Sequence, residues 1–216
     1  MHLRYCCTLM LFFFLFVSTT FAHDVPCKEE SSFDKRLIAA ELQLEKIAEH
    51  KENKDSSWKK ELEEVYLELR RLSYEKQNSS ELYLLFAKSY WYNDSISKAI
   101  KATEKALFFK PLYIDALILM GDLHTEAIMK NFYDEAGDVD SIFYSKRKKA
   151  IESYETALKI AEVDHSVVSS IYLKLGDLNN IFPLSKKTAK DYWKKAYEIA
   201  PESLTAKTAL ERLQKN

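Results

Sequence analysis

The sequence predicts an all-α fold. Turn residues are scarce, apolar residues recur at helical spacing along almost the whole chain, and one pattern of small, aromatic and proline residues returns at intervals near 34 residues. Glycine occurs three times and proline four times in 216 residues, and a chain so poor in both makes few hairpins or tight turns. Lys, Glu, Leu and Ala, all strong helix formers, fill much of the length. That length suits one domain with a sizeable core. The formal net charge is -1 at pH 7, so there is no basic bias toward nucleic acid and no acidic tail.

The chain opens with His2 and Arg4, then an unbroken apolar run from Leu9 to Val17, then Thr20 and Ala22 as small residues before a cut. This is the order of a secretory signal peptide, assigned to residues 1–22. The run is short for a permanent bilayer span, so no stable membrane span is expected once it is removed. The alternative is an anchor, through an uncleaved signal or a lipid. Cys27 is the only cysteine left after Cys6 and Cys7 depart with the signal. Asp24, Val25 and Pro26 before it do not form the small-residue motif of a lipoprotein. Residues 23–32 then read as a flexible leader carrying one thiol.

Residues 33–78 predict a helical hairpin. Leu37, Ala40, Leu44 and Ile47 form one stripe, and Leu62, Val65, Leu69 and Leu72 another. Asp55, Ser56 and Ser57 offer caps between them. The remainder, 79–216, carries three copies of one pattern. In the first, Tyr83, Phe86, Ala87 and Tyr90 mark a helix A, Ala99, Thr103 and Ala106 mark a helix B, and Pro111 closes it. In the second, Leu117, Met120, Gly121 and His124 are followed, after an insertion over about 126–148, by Ala150, Tyr154 and Ala157. In the third, Tyr172, Leu175 and Gly176 precede Ala189, Trp193, Ala196 and Pro201, with an internal loop one residue longer than standard. Glu202 to Lys215 then predicts a capping helix with Leu204, Leu210 and Leu213 apolar.

Over Ser80 to Pro201 these placements resemble the tetratricopeptide-repeat family, whose period is 34. Thr103 departs from the aromatic that the family places there. Val65, Leu69 and Leu72 stand one period before Ala99, Thr103 and Ala106, so the first hairpin reads as a degenerate repeat that lacks the small residues. Those small residues matter because helices A and B of a repeat cross closely. Ala87, Gly121 and Gly176 hold the crossing on helix A. Ala99, Ala106, Ala150, Ala157, Ala189 and Ala196 hold it on helix B. Two of the chain's three glycines fall at crossings, although glycine inside a helix costs about 1 kcal/mol relative to alanine.

The resemblance implies a right-handed α-solenoid whose concave face is lined by the A helices and holds a protein or peptide. On that face it places an apolar column of Leu84, Ile118 and Leu173. Beside it stand a charged column of Lys88, Asp122 and Asp177 and the large side chains Trp91 and Tyr92. The family's Lys/Asn/Arg clamp for acidic C-terminal tails is absent, with Leu84 and Asp122 where cationic or amide groups are needed.

Nothing in the sequence points to catalysis. His23, His50, His124 and His165 are scattered, and no G-x-S-x-G, H-E-x-x-H, P-loop or C-x-x-C motif occurs. The insertion carries Phe132, Tyr133, Phe143 and Tyr144 around Asp134, Glu135, Asp138 and Asp140. It lacks the alternating acidic loop and distal Glu of a calcium site, so neither metal nor cofactor is expected. The sequence therefore reads as an exported scaffold or adaptor, periplasmic or secreted, and not as an enzyme. The alternative is a structural, self-associating subunit of a cell-envelope assembly.

Overall fold

The computed structural model describes residues 31–134, 139–161 and 164–215. The proposed signal, Cys27, most of the leader, and Glu135 and Asp138 of the insertion lie outside the described residues, and so do the side chains of Phe132, Tyr133, Asp134 and Asp140. The described chain is a right-handed α-solenoid of tetratricopeptide-type hairpins, with a C-terminal capping helix and no strand among the described residues.

The helices pair in chain order. α1 (Ser32–Glu52) packs on α2 (Trp58–Glu75), α3 (Ser80–Tyr92) on α4 (Ile96–Phe109), α5 (Ile114–Asp134) on α6 (Val139–Ile160), and α7 (His165–Asn180) on α8 (Lys186–Ile199). α9 (Leu204–Lys215) covers α7 and α8. Ser31, Ser79 and Asp164 cap α1, α3 and α7 by accepting hydrogen bonds from backbone N–H groups of the first turn. α1 buries Ala40, Leu44 and Ile47, and α2 buries Leu62, Val65, Leu69 and Leu72.

The α1–α2 and α3–α4 turns are built alike. Lys54 (φ 57°) and Asp94 (φ 55°) take the left-handed conformation without being glycine. In each turn the next N–H reaches back to a carbonyl of the preceding helix, Asp55 to His50 and Ser95 to Tyr90, both at 2.9 Å. The first hairpin thus shares the repeat's closure as well as its stripe.

The crossings explain which small residue sits where. Ala87, Ala99, Ala106, Gly121, Ala150, Ala157, Gly176, Ala189 and Ala196 are all buried. The Tyr154 ring lies directly on Gly121 and the Trp193 indole on Gly176, so that an added Cβ at either glycine would penetrate the ring. Repeat one solves the same crossing differently. Ala87 keeps a Cβ, and Thr103 replaces the aromatic, its Oγ1 donating to the Ala99 carbonyl at 2.9 Å.

One sequence expectation changes, in the cap helix. The insertion lengthens the second hairpin: α5 and α6 have 21 and 22 residues against 13 and 14 in α3 and α4. Of its aromatics, Phe143 is buried with Ile128 while Tyr144 is exposed. In the cap, Leu204 is 80% and Leu210 39% exposed, and Ala206 and Ala209 are the buried residues. α9 packs on its neighbours through these alanines and the half-buried Leu213. The longer loop of repeat three is a 3₁₀ turn at Pro183–Ser185.

Gly176→Leu should therefore destabilise the fold by about 1–3 kcal/mol or more through overpacking against Trp193. Gly176→Ala combined with Trp193→Thr reproduces the Ala87/Thr103 solution. Its loss should be smaller than the sum of the two single losses by at least about 0.5 kcal/mol, measured by urea denaturation. Strict additivity would contradict the assigned crossing.

Candidate functional site

The A-helix face is where the residues singled out from the sequence converge, and the structure divides them into three groups. Leu84 does not belong to the face. It is 2% exposed, inside the core cluster with Ala40 and Leu44, because α1 packs across α3 and covers it. Ile118 and Leu173 remain half-buried. Trp91 and Tyr92 are half-buried too, with stacked rings 6.0 Å apart.

The charged column is committed to internal partners. Lys88 on α3 pairs with Glu41 on α1 at 3.0 Å. Asp122 on α5 pairs with Lys174 on α7 at 2.8 Å, and Asp177 on α7 with Arg212 on α9 at 3.2 Å. Trp91 Nε1 donates to Glu126 on α5. Each A helix is thereby tied to the next along the face. Burial raises the Asp177 carboxyl from its ordinary range, while Arg212 and the Trp193 N–H oppose that shift.

The aspartates have a second task. Tyr154 Oη donates to Asp122 at 2.7 Å, and Trp193 Nε1 donates to Asp177 at 3.1 Å. In both repeats the aromatic of helix B lies on a glycine and hands its polar tip to the aspartate that follows. The signal is present in the sequence as a repeated Gly-Asp-Leu, at 121–123 and 176–178. Reading those aspartates as outward-facing missed it, because Lys174 lies 52 residues from Asp122 and nothing local announces the pair.

Among the described residues no group of three or more His, Cys, Asp or Glu side chains is placed to hold a metal ion. No described helix is long and apolar enough to cross a membrane.

No protein-family model matches the chain, and no curated protein matches it. Among solved structures the chain is similar to the crystal structure of MamA protein, with 19% identity, 79% of this chain and 80% of that one covered, and a TM-score of 0.50. It is also similar to the human IFIT1 dimer with m7Gppp-AAAA, at 19% identity, covering 86% of this chain but 46% of that one, with a TM-score of 0.49. At these identities the likeness speaks to the fold.

His124 takes the place that Tyr90 holds in repeat one. It is 7% exposed at the floor of a cavity of about 610 Å³ between α4 and α6, shared with Lys101, Glu104, Lys146 and Lys149. Burial, helped by Lys149 and Lys146, lowers its imidazole to about 4. The folded protein therefore keeps His124 neutral where the unfolded chain protonates it. The stability this provides is complete above about pH 6.5 and is lost as the pH falls toward about 4. His124→Tyr should flatten that part of the stability–pH curve in urea denaturation; an unchanged acid slope would show that His124 does not cause it. Asp122→Ala should cost about 1–3 kcal/mol at neutral pH, since it strands the buried Tyr154 hydroxyl, and its melting temperature should fall accordingly.

Proposed function

We infer that this chain is an exported scaffold that holds a protein or peptide partner against the A-helix face, and that it binds rather than catalyses. One observation carries the reading. Trp91 and Tyr92 on α3, Ile118 on α5 and Leu173 on α7 are half-buried side chains on successive A helices, and the Trp91–Glu126 hydrogen bond and the Asp122–Lys174 ion pair tie those helices together. Large amphipathic and branched side chains in a fixed arrangement are the type of contact that dominates protein interfaces. Because Asp122 and Asp177 already have cations, a partner meets this face mainly through apolar contact.

Export rests on the leader, with its apolar run from Leu9 to Val17 and the small residues Thr20 and Ala22. The mature chain should begin near His23, and mass spectrometry of the protein recovered from its native compartment reads this directly. An intact Met1 would replace secretion with a membrane anchor.

A second reading, self-association in an envelope assembly, is favoured by one feature. Leu204 and Leu210 are exposed on α9, where they offer apolar contact to a second copy. A dimeric mass in light scattering that reverts to monomer on Leu204→Glu would support it.

For the scaffold itself, the double variant Ile118→Ser/Leu173→Ser should keep its helical circular dichroism. It should release a captured partner at least about tenfold faster, as loss of central apolar contacts does. Wild-type dissociation kinetics in that folded variant would remove the A-helix face as the site.

A further inference from the structure

A groove on the opposite side of the hairpins has no role in this reading. α2 and α4 do not pack against each other. Between them α3 forms the floor, and two adjoining cavities of about 360 and 390 Å³ run the length of the gap, sharing Tyr66, Tyr90 and Lys98. The floor is aromatic. Tyr90, Phe86 and Tyr83 follow one another along α3 with ring centroids 6.2 and 6.1 Å apart, and Tyr66 leans in from α2 at 5.9 Å from Phe86.

The walls are cationic. Lys59 and Arg70 come from α2, and Lys98, Lys101 and Lys105 from α4, against one carboxylate, Glu63. None of these five cations forms an ion pair within 4.0 Å among the described residues. Lys98, Lys101 and Lys105 make one helical row, spanning roughly 10 Å along the axis at about 1.5 Å per residue. Two of the three are held in place from below: Lys105 Nζ lies 4.2 Å from the Tyr83 centroid and Lys98 Nζ 5.9 Å from that of Tyr90. The contrast with the A-helix face is direct, because there Lys88, Asp122 and Asp177 are matched across helices.

We propose that the α2–α4 groove is a second docking surface, one that takes an acidic peptide segment of a partner protein. Carboxylates spaced along such a segment meet the Lys98–Lys101–Lys105 row and Arg70, while apolar side chains between them reach the ring floor. Charge complementarity selects this occupant. Lys98, Lys101 and Lys105 are set about one helical turn apart, a spacing that carboxylates along a peptide can match. The lysines also cover the faces of Tyr83 and Tyr90, which leaves anchored ammonium groups and not open stacking platforms for bases. Where the two cavities meet, the Tyr66 and Tyr90 hydroxyls lie 3.3 Å apart, placing a phenol donor within the groove for a carboxylate.

The test is fluorescence anisotropy with the full chain and a labelled peptide of glutamates interspersed with leucine and phenylalanine. Saturable binding that weakens with added salt is expected. Lys98→Glu/Lys101→Glu should raise Kd at least tenfold, and Lys98→Gln/Lys101→Gln should raise it by a smaller factor. Both lysines are exposed, so circular dichroism should be unchanged. Ile118→Ser/Leu173→Ser should leave this binding intact, which separates the groove from the A-helix face. Absence of binding, or equal binding by both lysine variants and the parent, would overturn the proposal. So would tighter binding of a single-stranded RNA of equal charge through the same lysines, which would assign the groove to nucleic acid.

Discussion

The arrangement depends on one contact, a helix-B aromatic laid on a residue of helix A that has no side chain. Tyr154 on Gly121 and Trp193 on Gly176 set the distance at which two hairpins close. A buried ring brings a polar tip that must be satisfied, and the aspartate one residue beyond each glycine accepts from it. That aspartate is then a buried or half-buried charge, which is costly alone. Lys174 and Arg212, from the next helices along the face, answer it. A local packing problem within one repeat thus propagates into the bond that fixes the next repeat. Repeat one tests this logic. With Ala87 and Thr103 the buried hydroxyl finds its acceptor within α4, at the Ala99 carbonyl, and the residue after Ala87 is Lys88, which looks backward to Glu41.

The fold was legible because its signals are local. Small residues at crossings, prolines after B helices and apolar stripes at helical spacing each act within one hairpin. The site was less legible because exposure is decided by the neighbouring hairpin. Leu84, Ile118 and Leu173 occupy equivalent places in their repeats, yet α1 covers only the first. Leu204 and Leu210 lie on an apolar stripe, but α9 buries Ala206 and Ala209 instead. The basic groove escaped for a related reason. Its cations come from two helices that do not touch, so neither helix alone departs from an ordinary solvated face.

The insertion shows how a repeat absorbs extra chain without losing register. An antiparallel hairpin tolerates added residues when both arms grow alike, and α5 and α6 exceed α3 and α4 by eight residues each. The added turns are tied down on both sides. Lys130 pairs with Asp94 at the α3–α4 turn, and Arg147 donates to Asn179 and Ser185 and lies over the Phe182 ring. Repeats two and three therefore keep their crossings even though their helices differ in length.

Charge is used in opposite ways on the two sides of the molecule. On the A-helix face Asp122 and Asp177 each have a cation of their own chain, so those ion pairs act as register pins and the half-buried side chains beside them offer apolar contact. Between α2 and α4 five cations are gathered against one carboxylate, Glu63. Like charges held close repel and cost stability, and the ring faces beneath Lys98 and Lys105 offset part of this. Five unpaired cations over an aromatic floor are a worse arrangement for the isolated protein than for a complex. That asymmetry is the physical reason to look for an anionic segment there, and it does not depend on what the opposite face holds.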